Sequence, residues 1–275
     1  MSGRRRQTLA EASAVLSGVG LHSGADASVR LLPAPSGTGL IFRRLGGGQE
    51  IPALASNVSD TSRCTRLSLD GFTVQTVEHV LSALAGLGVD DAFVEIEGGS
   101  EVPAMDGSAA PFADALLKAG LREYSDSVCP IMLTQPIYVS ERGSMLAALP
   151  SETLSLTVVL DYPRHAYLGT QAALFESMAD YQTQIAPART YGFLSEIEAL
   201  RAAGLGLGAS RDNAVVLGGT QYETPLRFAN ELARHKLLDL IGDLALAGRP
   251  VCAAIVAVKP SHTLNVQLAR LLSEL

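Results

Sequence analysis

The densest chemistry in this 275-residue chain is the segment RHKLLDLIGD, residues 234–243. On a helix, a four-residue step turns only about 40° past a full revolution, so His235, Asp239 and Asp243 share one face. A neutral imidazole and a carboxylate one turn apart can grip a single divalent cation. The pattern alone is weak evidence, because His-x-x-x-Asp is more often a solvated side-chain pair. Here Leu237, Leu238, Leu240 and Ile241 fill the intervening positions and make the helix core-like. Polar groups carried into a core need partners, and a metal is one such partner.

A second signal is Glu78-His79 in TVEHVLSALAG. A lone histidine on a half-buried helix is ordinarily a hydrogen-bonded structural residue. A catalytic zinc, however, takes three protein ligands and keeps a fourth position open. His235 and Asp239 supply two, and His79 would complete a His-His-Asp set. Glu78 would then sit beside the bound water, where a general base belongs. A third signal is KPSH, residues 259–262, between an apolar run and a helical pattern. A histidine at such a junction is placed to face a cleft, yet the residues alone favour a helix cap or surface position for His262.

The elements that must carry these residues are readable from periodicity. Residues 28–32 and 40–43 read as strands separated by the turn-rich PAPSGTG. Val77, Val80, Leu81, Leu84 and Leu87 recur at helical spacing and predict a helix from Thr76 that stops near Gly86 to Gly88. Residues 92–97 alternate as a strand, 103–111 form a loop, and 112–119 fit a helix closing on Gly120. The second half repeats the order. Strands are expected at 131–139, 144–149 and 154–160, then a long helix at 226–246, a strand at 251–258 and a last helix at 262–272.

The repetition predicts an α+β fold of two similar halves, 1–125 and 126–275, with the boundary near 123–127. Each half is a sheet layered with helices, and the halves pack face to face as a sandwich because one copy alone could not bury both its helices. Residues 187–217 stand apart as an insertion in the second half.

Composition bounds the rest. Apolar residues make up 47% and charged residues 18%, which supports packed cores and argues against disorder. A net charge of −7 speaks against a broad nucleic-acid-binding surface. Arg4-Arg5-Arg6 reads as a short solvated tail. The following QTLAEASAVLSG lacks the apolar block of a signal peptide, and the longest apolar run, Val251–Val258, is too short to span a bilayer. Cys64, Cys129 and Cys252 are odd in number and widely spaced, as reduced thiols are, so a cytoplasmic protein is expected. With no coiled coil or obvious pairing strand, a monomer is expected.

Taken together, GVGLHSG (18–24), LLPAPSGTGLIFRR (31–44), TVEHVLSALAGLGVDD (76–91) and EVPAMDGSAAPF (101–112) resemble one known family, the UDP-3-O-acyl-N-acetylglucosamine deacetylases. The resemblance continues through ARTYGF (188–193), RHKLLDLIGDLALAG (234–248) and SH (261–262), and so covers almost the whole chain. It implies a two-half fold with a small inserted unit in each half. It also implies zinc-dependent removal of the acetyl group from a UDP-linked, 3-O-acylated N-acetylglucosamine in lipid A synthesis. His79, His235 and Asp239 match the zinc ligands, Glu78 the base, and His262 the acid, with Asp243 orienting His262. Thr190 and Lys236 match positions that hold the oxyanion or substrate.

Tyr191 stands where a ring packs near the sugar, and His22 and Lys259 match positions near the nucleotide. The family's acyl-chain passage corresponds to about 188–217, where AAGLGLGAS is expected to line a groove. Three segments depart from the family pattern. Ser62-Arg63 replaces apolar residues near the substrate entrance and puts a charge there, able to meet a phosphate or alter acyl-chain tolerance. DYPRH (161–165) replaces the usual aromatic-then-His-Pro run, leaving Tyr162 as the stacking ring. FANE (228–231) is less acidic than usual. No zinc ligand, base or acid is lost.

Overall fold

The computed structural model describes residues 3–275. Two sheets dominate it. The first has the order Leu16–Val19, Asp26–Pro33, Ala92–Gly98, Leu40–Arg44 and Glu50–Pro52. The second runs Ile137–Glu141, Ser144–Pro150, Val251–Val258, Ser155–Asp161 and Thr170–Phe175, with Ile131–Met132 as a short addition beside Val251–Val258. In both, the central strand is the last in the chain. It runs antiparallel to the neighbour on one side and parallel to that on the other. The same topology thus occurs twice.

Among the described residues, five α-helices accompany the sheets: α1 (Glu78–Gly86), α2 (Ala110–Ala119), α3 (Ile197–Ala202), α4 (Glu231–Leu244) and α5 (His262–Ser273). Strands such as Asp26–Pro33 and Thr170–Phe175 alternate buried and open positions, so each sheet offers one apolar face. By contrast α1 is buried at every residue but Ala85, and α4 at all but Arg234 and Lys236. Helices buried all round must lie between layers. The two pack on each other, and α4 also lies on the strands Ser155–Asp161 and Thr170–Phe175. One continuous apolar core joins residues of both sheets and these helices. A Cβ on Gly242 would run into the backbone carbonyl of Glu78, so glycine is what lets α4 approach the first turn of α1.

Two smaller units stand beside these sheets, in addition to a two-stranded pair near the start of the chain. Val58–Asp60, Arg66–Leu69 and Phe72–Gln75 form a three-stranded antiparallel sheet in the first half. In the second half, Tyr191–Phe193 and Val215–Leu217 pair in parallel, with α3 in the connection between them. Among the described residues, no helix is long and apolar enough to cross a membrane.

Three local expectations are corrected. Arg4–Leu9 is a strand, not a solvated tail, and pairs antiparallel with Leu121–Val128, which includes 123–127. The arginines are held by carboxylates: Arg4 is bidentate to Asp90 at 2.7 and 2.8 Å, and Arg6 bidentate to Asp91 at 2.7 Å twice. The strand expected at 131–139 breaks into Ile131–Met132 and Ile137–Glu141 around Pro136, whose missing N–H cannot join a ladder. Helix α4 begins at Glu231 rather than 226. Residues 225–230 are drawn instead around Arg189, whose guanidinium donates to the Pro225 carbonyl and the Glu231 carboxylate.

Candidate active site

Helix α1 brings Glu78 and His79 to the α1–α4 contact, and α4 brings His235, Lys236, Asp239 and Asp243. Asp239 Oδ1 lies 3.3 Å from His235 Nε2 and 3.9 Å from His79 Nε2. It is buried and has no hydrogen-bond partner. His235 donates from Nδ1 to the Ala188 carbonyl at 3.1 Å, which leaves the Nε2 lone pair facing Asp239. Burial holds both imidazoles neutral: His79 is pushed down to about 3, aided by His235, and His235 is also lowered. Burial raises Asp239, but the charged Lys236 and His262 beside it outweigh this and keep the carboxylate ionised. Two neutral imidazoles and an unpartnered carboxylate oxygen, mutually within 4.8 Å, can hold a metal ion. The residues fit the group.

Around this trio stand a base and an acid. Glu78 is buried, and its Oε2 accepts the Thr65 backbone N–H at 3.0 Å. Burial pushes its carboxyl up to about 7; His262 opposes the shift, while Asp243 and Asp239 add to it. His262 opens α5, which is capped by the Ser261 hydroxyl accepting the Leu264 N–H at 3.3 Å. Its Nδ1 donates to Asp243 Oδ2 at 2.9 Å, and its Nε2 lies 3.9 Å from both Glu78 Oε1 and Asp239 Oδ2. Burial disfavours the imidazolium, but Asp243, Glu78 and Asp239 overcome it and raise His262 to about 9. The reading of His262 as a helix cap or surface residue is therefore corrected: Ser261 is the cap, while His262 is buried and faces the cluster.

The cluster floors a cleft of about 330 Å3, a size suited to a small-molecule site. His22, Arg63, Thr190, Tyr191, Tyr162 and Lys236 all line it. Lys236 donates to Asp239 Oδ2 at 2.8 Å and sits 5.8 Å from the Tyr191 ring centre. Burial lowers the ammonium, but Asp239 more than offsets this. The Tyr162 and Tyr191 hydroxyls meet at 2.7 Å. Thr190 is fixed through its backbone, to Gly107 and Val215, at 2.8 Å each.

Arg63, exposed and at φ 70°, reaches across the cleft to Glu196 at 3.0 Å. Lys259 is exposed and lies outside the lining residues. The glycine- and leucine-rich run also lies outside. Leu207 and Gly208 N–H donate instead to the carbonyls of His22 and Leu21, so the run docks the insertion onto the GVGLHSG loop.

Two buried residues that the sequence did not point to join the network. Thr65 donates from Oγ1 to Asp243 Oδ1 at 2.6 Å, and Asn265 Nδ2 donates to Asp243 Oδ2 at 2.9 Å. Asn265 lies three residues after His262 and so returns to its face; Thr65, in a loop, gave no such signal.

A two-layer α+β duplication with a metal-competent His-His-Asp trio, a buried carboxylate and a buried histidine has the groups that metal-assisted hydrolysis needs. Residues 6–274 match the profile of UDP-3-O-acyl N-acetylglycosamine deacetylases, and the chain belongs to that family. It is 44% identical over 266 residues to the UDP-3-O-acyl-N-acetylglucosamine deacetylase of Leptospira biflexa serovar Patoc (strain Patoc 1 / Ames), covering 94% of this chain and 86% of that protein. The enzyme of the same name from Trichormus variabilis is 42% identical over 275 residues, covering 97% of each chain. That of Myxococcus xanthus is 41% identical over 273 residues, covering 98% and 86%.

Proposed function

We propose that this chain hydrolyses the acetamide of UDP-3-O-acyl-N-acetylglucosamine, using zinc, to give UDP-3-O-acyl-glucosamine and acetate in lipid A synthesis. The observation that carries the reading is the convergence of His79, His235 and Asp239 in one cleft, between Glu78 and His262. Zinc held by these three residues would act as a Lewis acid on the acetyl carbonyl and bring the pKa of water to about 7. Glu78 takes a proton from the attacking water as its oxygen bonds to the acetyl carbon. His262 Nε2, kept protonated by Asp243, stabilises the developing oxyanion and gives its proton to the nitrogen as the C–N bond breaks. An amine leaves poorly without that proton, so the two groups must act in sequence.

Lys236 and Thr190 sit beside the trio to hold the oxyanion or the sugar. Tyr191 packs on the sugar, Tyr162 stacks as the second ring, and Arg63, His22 and Lys259 serve the nucleotide end. In this division 1–125 supplies Glu78 and His79, 126–275 supplies His235, Asp239 and His262, and 188–217 takes the acyl chain. The cytoplasm is the compartment proposed, in keeping with the unpaired Cys64, Cys129 and Cys252.

The test is acetate release from UDP-3-O-acyl-N-acetylglucosamine by purified protein, before chelation, after it, and after zinc is restored. Release that stops and returns supports both reaction and metal. No release from folded, zinc-loaded protein overturns the substrate assignment, and a panel of other acylated amino sugars then becomes the measurement.

A further inference from the structure

We infer that Thr65 is a positioning residue that locks the base and the acid's partner into one frame across the two halves; this rests on the deacetylase reading above. Thr65 is fully buried and follows the loop residues Arg63 and Cys64. Its backbone N–H donates to Glu78 Oε2 at 3.0 Å, which turns Oε1 toward His262 Nε2, 3.9 Å away. Its hydroxyl has a single proton, and that proton goes to Asp243 Oδ1 at 2.6 Å. The other oxygen of Asp243 accepts His262 Nδ1 and Asn265 Nδ2, both at 2.9 Å.

A carboxylate bound at both oxygens cannot rotate about its terminal torsion, and the imidazole it holds cannot turn either. Thr65 supplies the only side-chain donor to Oδ1 among the described residues. Without it Asp243 keeps its charge partner but loses the contact that fixes its plane. Because Thr65 and Glu78 belong to the first half while Asp243 and His262 belong to the second, one residue sets the spacing of base and acid. It belongs neither to the trio that would hold metal nor to the residues that line the cleft, and it reaches the cleft only through Glu78 and the Asp243–His262 pair, so its effect should fall on turnover rather than on substrate binding.

The experiment compares zinc-loaded wild type, Thr65→Val and Thr65→Ser for kcat, KM, zinc content and melting temperature, and repeats the valine change in an Asp243→Asn background. The expected result for Thr65→Val is a kcat lower by roughly 10- to 100-fold, as for loss of other outer contacts of a metal site. KM and zinc content should hold, and serine should restore most of the loss. In the Asp243→Asn background, the valine change should cost little further, because both changes break one linkage.

Wild-type turnover in the valine chain, or its full loss repeated on top of Asp243→Asn, overturns the inference. A valine chain that loses its zinc or its fold is replaced by Thr65→Ala and judged by the same ratios. Absence of acetate release from wild type removes the deacetylase reading and this inference with it, whereas release by wild type and valine alike removes only the inference.

Discussion

At the residue scale, the arrangement moves two groups away from their ordinary pKa values in the direction that each role favours. Glu78 is pushed up to about 7 by burial, and His262 is raised to about 9, with Asp243 the main support against burial. The working form has Glu78 ionised and His262 protonated. Raising pH through about 7 creates the base, and raising it further through about 9 removes the acid. A bell-shaped profile of kcat/KM is expected between those limbs. They belong to the facing pair, 3.9 Å apart, rather than to either residue alone. In His262→Gln the alkaline limb should vanish while the acid limb moves up, because the charge that held Glu78 down has gone; an alkaline limb unchanged in that variant would take His262 out of the acid's role.

Glu78→Gln should cut turnover by about 100- to 10,000-fold with zinc retained, as counted by metal analysis, and a variant with wild-type turnover would remove Glu78 as base. Asp239→Ala should weaken zinc retention on dialysis, since it removes the one unpartnered oxygen of the trio. The trio was legible in sequence because two members sit one helical turn apart. Thr65 was not, because its role depends on a loop crossing between halves, and no periodicity reports that.

At the element scale, helices carry the chemistry, and their close approach decides whether it assembles. Apolar spacing marked α1 and α4 correctly in kind although both are buried on nearly every side, and the central strands were marked by the alternation of Ala92–Gly98 and the apolar run Val251–Val258. The ends were less legible: the start of α4 is set by the Arg189–Glu231 ion pair at 2.9 Å, a long-range contact. Arg4–Leu9 was missed for a similar reason, because its three arginines look solvated until Asp90 and Asp91 are placed beside them. Gly242 gives the sharpest prediction here. Alanine at that position would press on the Glu78 carbonyl and force α4 away from α1, at a cost of about 1–3 kcal/mol. Thermal unfolding should show the loss, and turnover should fall more than stability, because Asp239 and Asp243 move with the helix. An alanine variant as stable and active as wild type would mean the helices have slack that this packing denies.

At the scale of the whole molecule, the packing of the two duplicated layers brings Glu78 and His79 from the first half and His235, Asp239 and His262 from the second into a single cleft. Most of that pairing follows from the repeated order of elements, but what bridges the mouth does not. Arg63 comes from the first half and Glu196 from the insertion of the second, and they meet at 3.0 Å. With side chains 53% and 40% exposed, the pair is too well solvated to add much stability, and about 0–1 kcal/mol is the ordinary range. Its position over the cleft matters more. A guanidinium there is held close to a carboxylate by weak attraction only, so an incoming diphosphate can take it over with two well-directed hydrogen bonds. Arg63→Leu should therefore leave the melting temperature nearly unchanged and raise KM for the UDP-linked substrate by about tenfold, the equivalent of about 1.4 kcal/mol. The rise of KM with added salt should also flatten, because the charge that salt screens has gone. Steady-state kinetics at low and high ionic strength measures both; a leucine variant with the wild-type KM and the same salt dependence would show that Arg63 does not engage the nucleotide.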